Sequence, residues 1–103
     1  MRVYFDNAAT TALDPEVFEA MKPYMLEHFG NPSSTHAHGR NARTAIEASR
    51  KQIASLLHCT PGEIIFTSGG TEADNAILTS SVRTYNIKNV ITSPLEHHAV
   101  LHT

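Results

Sequence analysis

The chain has 103 residues, a net charge of −2 and a single cysteine, Cys59. This length suffices for one small domain, and a single cysteine excludes an internal disulfide. The net charge is small and no run of Lys or Arg occurs, which argues against nucleic acid as a partner. The start M-R-V-Y-F-D lacks the apolar region of a signal peptide, and no long apolar run follows. We therefore expect a soluble, cytoplasmic protein with no membrane segment.

The N-terminal stretch combines a short β-prone run with a series of small residues. Residues 3–5 favour a strand, which Asp6 and Asn7 end. The small residues that follow, through to Leu13, suit close packing against a ligand, although a mobile arm is the alternative. We treat residues 1–13 as an N-terminal arm.

A first helix is predicted from Asp14 to about His28. Asp14 is a typical N-cap, and Pro15 suits the first helical position. Apolar residues then recur near helical spacing, while Pro23 should bend the helix or split it in two. Gly30 opens a loop over residues 30–34.

A longer amphipathic helix is predicted from Gly39 to Leu57. Its apolar stripe is rich in alanine and contains no Trp or Phe, so packing on a sheet is favoured over binding to a membrane surface. Residues 58–62 should end this helix.

The stretch T-S-G-G-T-E-A-D-N at 67–75 follows a predicted strand at 64–66 and opens a helix predicted from Thr71 to about Thr84. A helix start carries unpaired N–H groups and a partial positive charge, and the two glycines have no Cβ to keep a ligand away, so an anion site is indicated. Thr71 with Asp74 also fits a loose capping box, so a plain turn is the alternative. The stretch matches neither an ATP loop nor a dinucleotide motif.

A second strand is predicted at 89–92, which completes a βαβ unit with parallel strands. Ligands in such sheets bind at the carboxyl ends of the strands, so the glycine loop and residues 93–98 should lie side by side. The predicted fold class is α/β, an incomplete and mostly parallel sheet with flanking helices.

Two histidine pairs raise the question of a metal. His36 and His38 form an H-x-H pair, and His98 and His102 are four residues apart on a possible helix. Neither pair has an acidic third ligand at recognisable spacing, so we predict no metal site.

Four motifs occur in order: F-D-N-A-A-T-T at 5–11, G-N-P-S-S-T-H at 30–36, the glycine loop at 67–75 and E-H-H-A-V at 96–100. Together they resemble the start of the cysteine desulfurases, which belong to the class V aminotransferase group and depend on pyridoxal 5′-phosphate. The resemblance implies the N-terminal part of the fold-type I transferase fold. In it, residues 1–13 are an arm that contributes to the active-site and small-domain side, and residues 14–103 begin the large cofactor-binding domain.

The resemblance also implies roles for individual residues. Gly70 and Thr71 match the residues that hold the cofactor phosphate. His97 matches the catalytic histidine that stacks on the pyridine ring and assists proton transfer. Five residues match segments that line the substrate side, part of which a partner subunit can supply: Asn7, Ala8, Thr10, Asn31 and His36.

The implied reaction converts L-cysteine to L-alanine and leaves a persulfide on an enzyme cysteine, for delivery to a sulfur-acceptor protein and iron–sulfur cluster assembly. The resemblance implies a homodimer, and it puts the cofactor-binding lysine, the ring-nitrogen Asp, the substrate Arg and the sulfur-carrying Cys beyond position 103.

Three alternatives stay open: another class V enzyme such as a selenocysteine lyase or aminotransferase, a non-catalytic truncated or split subunit, and a small His-rich metal-binding protein.

Overall fold

The computed structural model describes all 103 residues, and its regular structure is entirely helical. The chain divides into two compact units, Met1–Glu63 and Ile64–Thr103. The predicted division into an arm at 1–13 and a large domain from residue 14 stays a prediction. The α-helices are α1 (Pro15–Leu26), α2 (Ala37–Leu56), α3 (Gly70–Tyr85) and α4 (His98–Leu101), and one 3₁₀ turn spans Pro61–Glu63.

The start of α1 is as predicted. The Asp14 carboxylate accepts a hydrogen bond from the Glu16 N–H at 2.8 Å, and Pro15 occupies the first helical turn. The helix continues through Pro23 without splitting, so of the two predicted effects of this proline the split does not occur, and the bend stays a prediction. Proline removes one N–H donor from the helix, and the Glu27 N–H still donates to the Pro23 carbonyl at 2.8 Å, which closes the last turn.

The second helix begins two residues before the predicted Gly39 because His36 serves as its N-cap. The His36 Nδ1 accepts a hydrogen bond from the Gly39 N–H at 3.4 Å. A Cβ on Gly39 would lie only 2.6 Å from the Asn31 carbonyl oxygen, so glycine is what allows the preceding loop to pack on the first turn of α2. Gly39, Ala42 and Ala54 are the buried residues of this helix.

The predicted strands at 64–66 and 89–92 are absent, and so is the parallel sheet that they would form. The β-prone residues 3–5 form no strand either. The helix between the two predicted strands does form, as α3. A strand is defined by regular pairing with another strand. The two segments flank α3 in the sequence, and neither is a strand in the structure. The sequence therefore correctly predicts the helix of the βαβ unit but not its sheet.

Large apolar side chains remain exposed in both units. The buried apolar residues are the three alanines Ala42, Ala54 and Ala99, whereas Phe5 is 91% exposed and Ile91 is 99% exposed. None of the helices is long and apolar enough to cross a membrane.

Candidate functional site

The start of α3 presents backbone N–H groups that the helix itself does not use. Gly69 is the N-cap and makes no side-chain capping hydrogen bond, and Gly70 and Thr71 are the first two helical residues. The first bond along the helix runs from the Ala73 N–H to the Gly69 carbonyl at 3.2 Å. The N–H groups of Gly70 and Thr71 therefore lie ahead of the intrahelical ladder, where the helix dipole favours an anion.

The space over the two glycines is open. A Cβ added to Gly69 or Gly70 would meet no atom within 4 Å, in contrast to Gly39. Gly69 has an extended backbone with φ of 168°, which any residue can adopt, and Gly70 is helical. Neither packing nor backbone conformation requires glycine here, so the open backbone is available to a ligand. These features fit a phosphate group.

The acidic residue of the first turn, Glu72, folds back onto the loop. Its Oε2 accepts hydrogen bonds from the Ser68 N–H and the Ser68 hydroxyl, both at 2.7 Å. These bonds, the backbone one first, lower the pKa of Glu72. The predicted capping box of Thr71 with Asp74 is wrong because the helix begins one residue earlier and Thr71 already lies inside it. Glu72 holds the turn instead.

A side-chain amide links α3 to α4. The Asn75 Nδ2 donates to the Thr71 carbonyl at 2.8 Å and to the Ala99 carbonyl at 3.2 Å. One carbonyl belongs to the first turn of α3 and the other to α4, so this half-buried amide holds the open turn of α3 next to the residues after His97. Sequence reasoning missed this link, whose only signal was an Asn one turn after the glycine loop.

His97 lies at the N-terminus of α4 and is fixed by its own backbone. Its Nδ1 accepts a hydrogen bond from the Ala99 N–H at 3.1 Å, which makes His97 the N-cap of the helix. With Nδ1 acting as an acceptor, the neutral ring carries its proton on Nε2. The side chain is exposed, so this proton-bearing edge is available for chemistry.

The predicted substrate-side residues lie in the unit Met1–Glu63. Asn7 and Ala8 lie in a turn that is closed by the Ala9 N–H donating to the Asp6 carbonyl at 3.1 Å, and the N–H of Thr10, which follows the turn, donates to the same carbonyl at 3.3 Å. The Asn31 side chain accepts from the Ser33 N–H at 2.9 Å, and His36 caps α2. Their role toward a substrate stays a prediction.

The histidine pairs form ring contacts rather than a metal cluster. The rings of His98 and His102 stack with centroids 5.4 Å apart, and those of His36 and His38 meet edge to face at 6.1 Å. No group of three or more potential ligands converges anywhere in the chain.

Comparison with known proteins places these features in a family. Residues 3–103 match the class V aminotransferase family, so the chain belongs to it. It is 54% identical to the cysteine desulfurase IscS of Dictyoglomus turgidum, over 96% of this chain and 26% of the relative. It is 50% identical to the cysteine desulfurase IscS of Methanosarcina thermophila, over 98% of this chain and 26% of the relative. The resemblance to the cysteine desulfurases is thereby confirmed.

A solved structure agrees with these sequence relatives. The chain superposes on a NifS-like protein with a TM-score of 0.92 at 44% sequence identity, over 99% of this chain and 29% of the other. The chain spans about a quarter of the length of the relatives that it matches.

We expect the stabilising contact of Glu72 to depend on pH. Since its folded-state pKa is lowered, the contribution is fully present above the unfolded glutamate pKa of about 4.3 and is lost as pH falls through the lower folded value. Ser68→Ala should raise the pKa of Glu72 part of the way back, because the Ser68 N–H bond remains. An NMR titration of the carboxyl checks this, with Ser81→Ala on the same helix as the control. An unchanged Glu72 pKa in Ser68→Ala would contradict the contact.

Proposed function

We propose that this chain is the N-terminal part of a pyridoxal 5′-phosphate-dependent cysteine desulfurase of fold type I, in which residues 1–13 form an arm and residues 14–103 begin the large domain. The observation that carries the proposal is the open helix start at Gly70 and Thr71, linked through Asn75 to the helix that His97 caps. The relatives named cysteine desulfurase support the reaction class. The complete enzyme would convert L-cysteine to L-alanine and retain the sulfur as a persulfide.

The start of α3 would hold the cofactor by its phosphate. Backbone N–H groups at Gly70 and Thr71 would donate to the phosphate oxygens, and the Thr71 hydroxyl would add a further donor. The missing side chain at Gly70 would let the phosphate reach the backbone. No charged side chain is needed for this clamp, because the helix dipole and directed N–H groups supply the positive field.

His97 would stand at the reacting side of the cofactor. Its ring is oriented by the Ala99 N–H, which leaves Nε2 as the atom that holds or moves a proton. Histidine is the side chain suited to proton exchange near neutral pH, and a flat imidazole can also stack on an aromatic ring. When bound, pyridoxal phosphate supplies an electron sink for loss of the substrate α-proton.

The rest of the proposal concerns the complete protein. Asn7, Ala8, Thr10, Asn31 and His36 would line the substrate side, with part of that lining from the partner subunit of a homodimer. A sulfur-acceptor protein would receive the persulfide sulfur for iron–sulfur cluster assembly, in the cytoplasm. The lysine, aspartate, arginine and cysteine of the reaction would come from outside these 103 residues.

Gly70→Ala tests the phosphate clamp in the complete enzyme. The added methyl meets open space in the chain, so the melting temperature of the cofactor-free protein should stay the same or rise slightly. The methyl should keep the phosphate from the backbone and weaken cofactor binding by about tenfold or more, roughly 1.4 kcal/mol. Spectroscopic titration with pyridoxal 5′-phosphate measures this, and Gly62→Ala, also in open space, is the matched control. Equal affinity in both variants would refute the clamp.

His97→Ala should affect turnover more than cofactor retention. A ring stack contributes about 0.5 to 1.5 kcal/mol, at most about tenfold in affinity, whereas general acid–base help is worth about a hundredfold or more in rate. The purified variant should therefore keep its yellow colour after desalting and form alanine slowly. A variant that loses the cofactor but regains normal turnover when it is resupplied would limit His97 to binding.

The 103-residue chain by itself should have no desulfurase activity, because the proposed reaction needs a lysine and a sulfur-accepting cysteine from outside it. Cys59 does not match the family nucleophile. Alanine and sulfide formation from L-cysteine, measured against a control that contains only cofactor, checks this expectation. Release above that control by the pure chain would overturn it.

A further inference from the structure

We infer that Asn75 is a positioning residue, which sets where the His97 imidazole stands relative to the phosphate-binding turn. The inference rests on the proposed function, since it assigns His97 and Gly70–Thr71 to the same cofactor. The Asn75 amide makes the one side-chain hydrogen bond between α3 and α4, to the Ala99 carbonyl at 3.2 Å. Its other bond, at 2.8 Å, is to the Thr71 carbonyl.

Ala99 connects this amide to the histidine. Its carbonyl accepts from Asn75, while its N–H donates to the His97 Nδ1 at 3.1 Å. The same buried residue is thus held from α3 on one side and orients the imidazole on the other. A shift of Ala99 would move the ring of His97 with it.

Helix α4 also packs on α3, but this packing is not directional in the way that a hydrogen bond is. It is only four residues long, and a single turn has no independent stability. Thr103 also donates to the Ala99 carbonyl, at 2.6 Å, but this bond is local to α4 and does not reach α3. Beyond this contact, Leu78, Val82 and Val100 line an open cavity of about 610 Å³. The Asn75 amide is therefore the directional contact between the two helices.

The test compares variants of the complete enzyme. Asn75→Leu is similar in size and neutral, and it removes both N–H donors. Asn75→Gln retains an amide, and Asn41→Leu is a matched control on α2, where Asn41 is exposed. The readouts are hydrogen exchange of the α4 amides, cofactor affinity, circular dichroism of the cofactor band, and kcat and KM separately.

In Asn75→Leu, hydrogen exchange of the α4 amides should be faster. The Kd for the cofactor should stay within about threefold of that of the unaltered enzyme, and part of the circular dichroism of the cofactor band should be lost. The kcat of this variant should fall by about tenfold to a hundredfold with little change in KM, because a small displacement of a catalytic group is costly. Asn75→Gln should recover part of kcat, and Asn41→Leu should behave as the unaltered enzyme. If Asn75→Leu does not fold, Asn75→Asp, which lacks the donors when ionised, is measured in the same way.

Two results would overturn the inference. Faster α4 exchange with unchanged dichroism and kcat would make Asn75 merely structural, and unchanged exchange would mean that the amide does not hold α4. Failure of the proposed function is seen separately, since the unaltered enzyme would then bind no pyridoxal 5′-phosphate.

Discussion

The first turn of α3 is the constraint on which the second unit depends. A helix start leaves N–H groups without intrahelical acceptors, and they must bind water, a side chain or a ligand. Gly69 offers no capping side chain, and the Glu72 carboxylate is directed to Ser68 rather than to the turn's own leading N–H groups. The chain thereby stabilises the loop before the helix, while no side chain caps the N–H groups of Gly70 and Thr71. The carbonyl of Thr71 is used as well, as one anchor of the Asn75 amide.

Local signals allowed the helices to be predicted from the sequence. Asp14 before Pro15, the alanine stripe of α2 and the glycines before α3 each act within a few residues, and all three helices form close to their predicted bounds. The sheet was not predictable in the same way, because a strand needs a partner that its own residues do not contain. Residues 89–92 have the composition of a strand, yet composition alone does not supply the neighbouring strand with which they would pair. Ile91 shows the result, since it is apolar and almost fully exposed.

The candidate site was predictable in part. The open helix start followed from Gly69 and Gly70. The family motifs pointed to Thr71 and His97, whose roles stay predictions. The contacts that organise these residues were missed, because each depends on a helix boundary or on a distant residue. Glu72 caps the loop only because α3 begins at Gly70, and Asn75 meets Ala99, 24 residues away, only once α3 and α4 are packed together. Motifs identify the groups that touch a ligand more readily than those that hold these groups in place.

Hydrogen bonds and apolar burial differ in how many neighbours they need. This difference explains why the candidate site is well formed although few apolar side chains are buried. The site consists of open backbone N–H groups, one local carboxylate contact and one amide link, and the carboxylate and amide contacts are both made within residues 68–99. The apolar side chains need area contributed by neighbours, and three alanines are the only buried apolar residues here. A hydrogen bond is complete with one partner, whereas burial of a side chain such as Ile91 requires several. Residues that bind a phosphate can therefore be arranged by a short stretch of chain, while the stability of that arrangement depends on whatever covers its apolar faces.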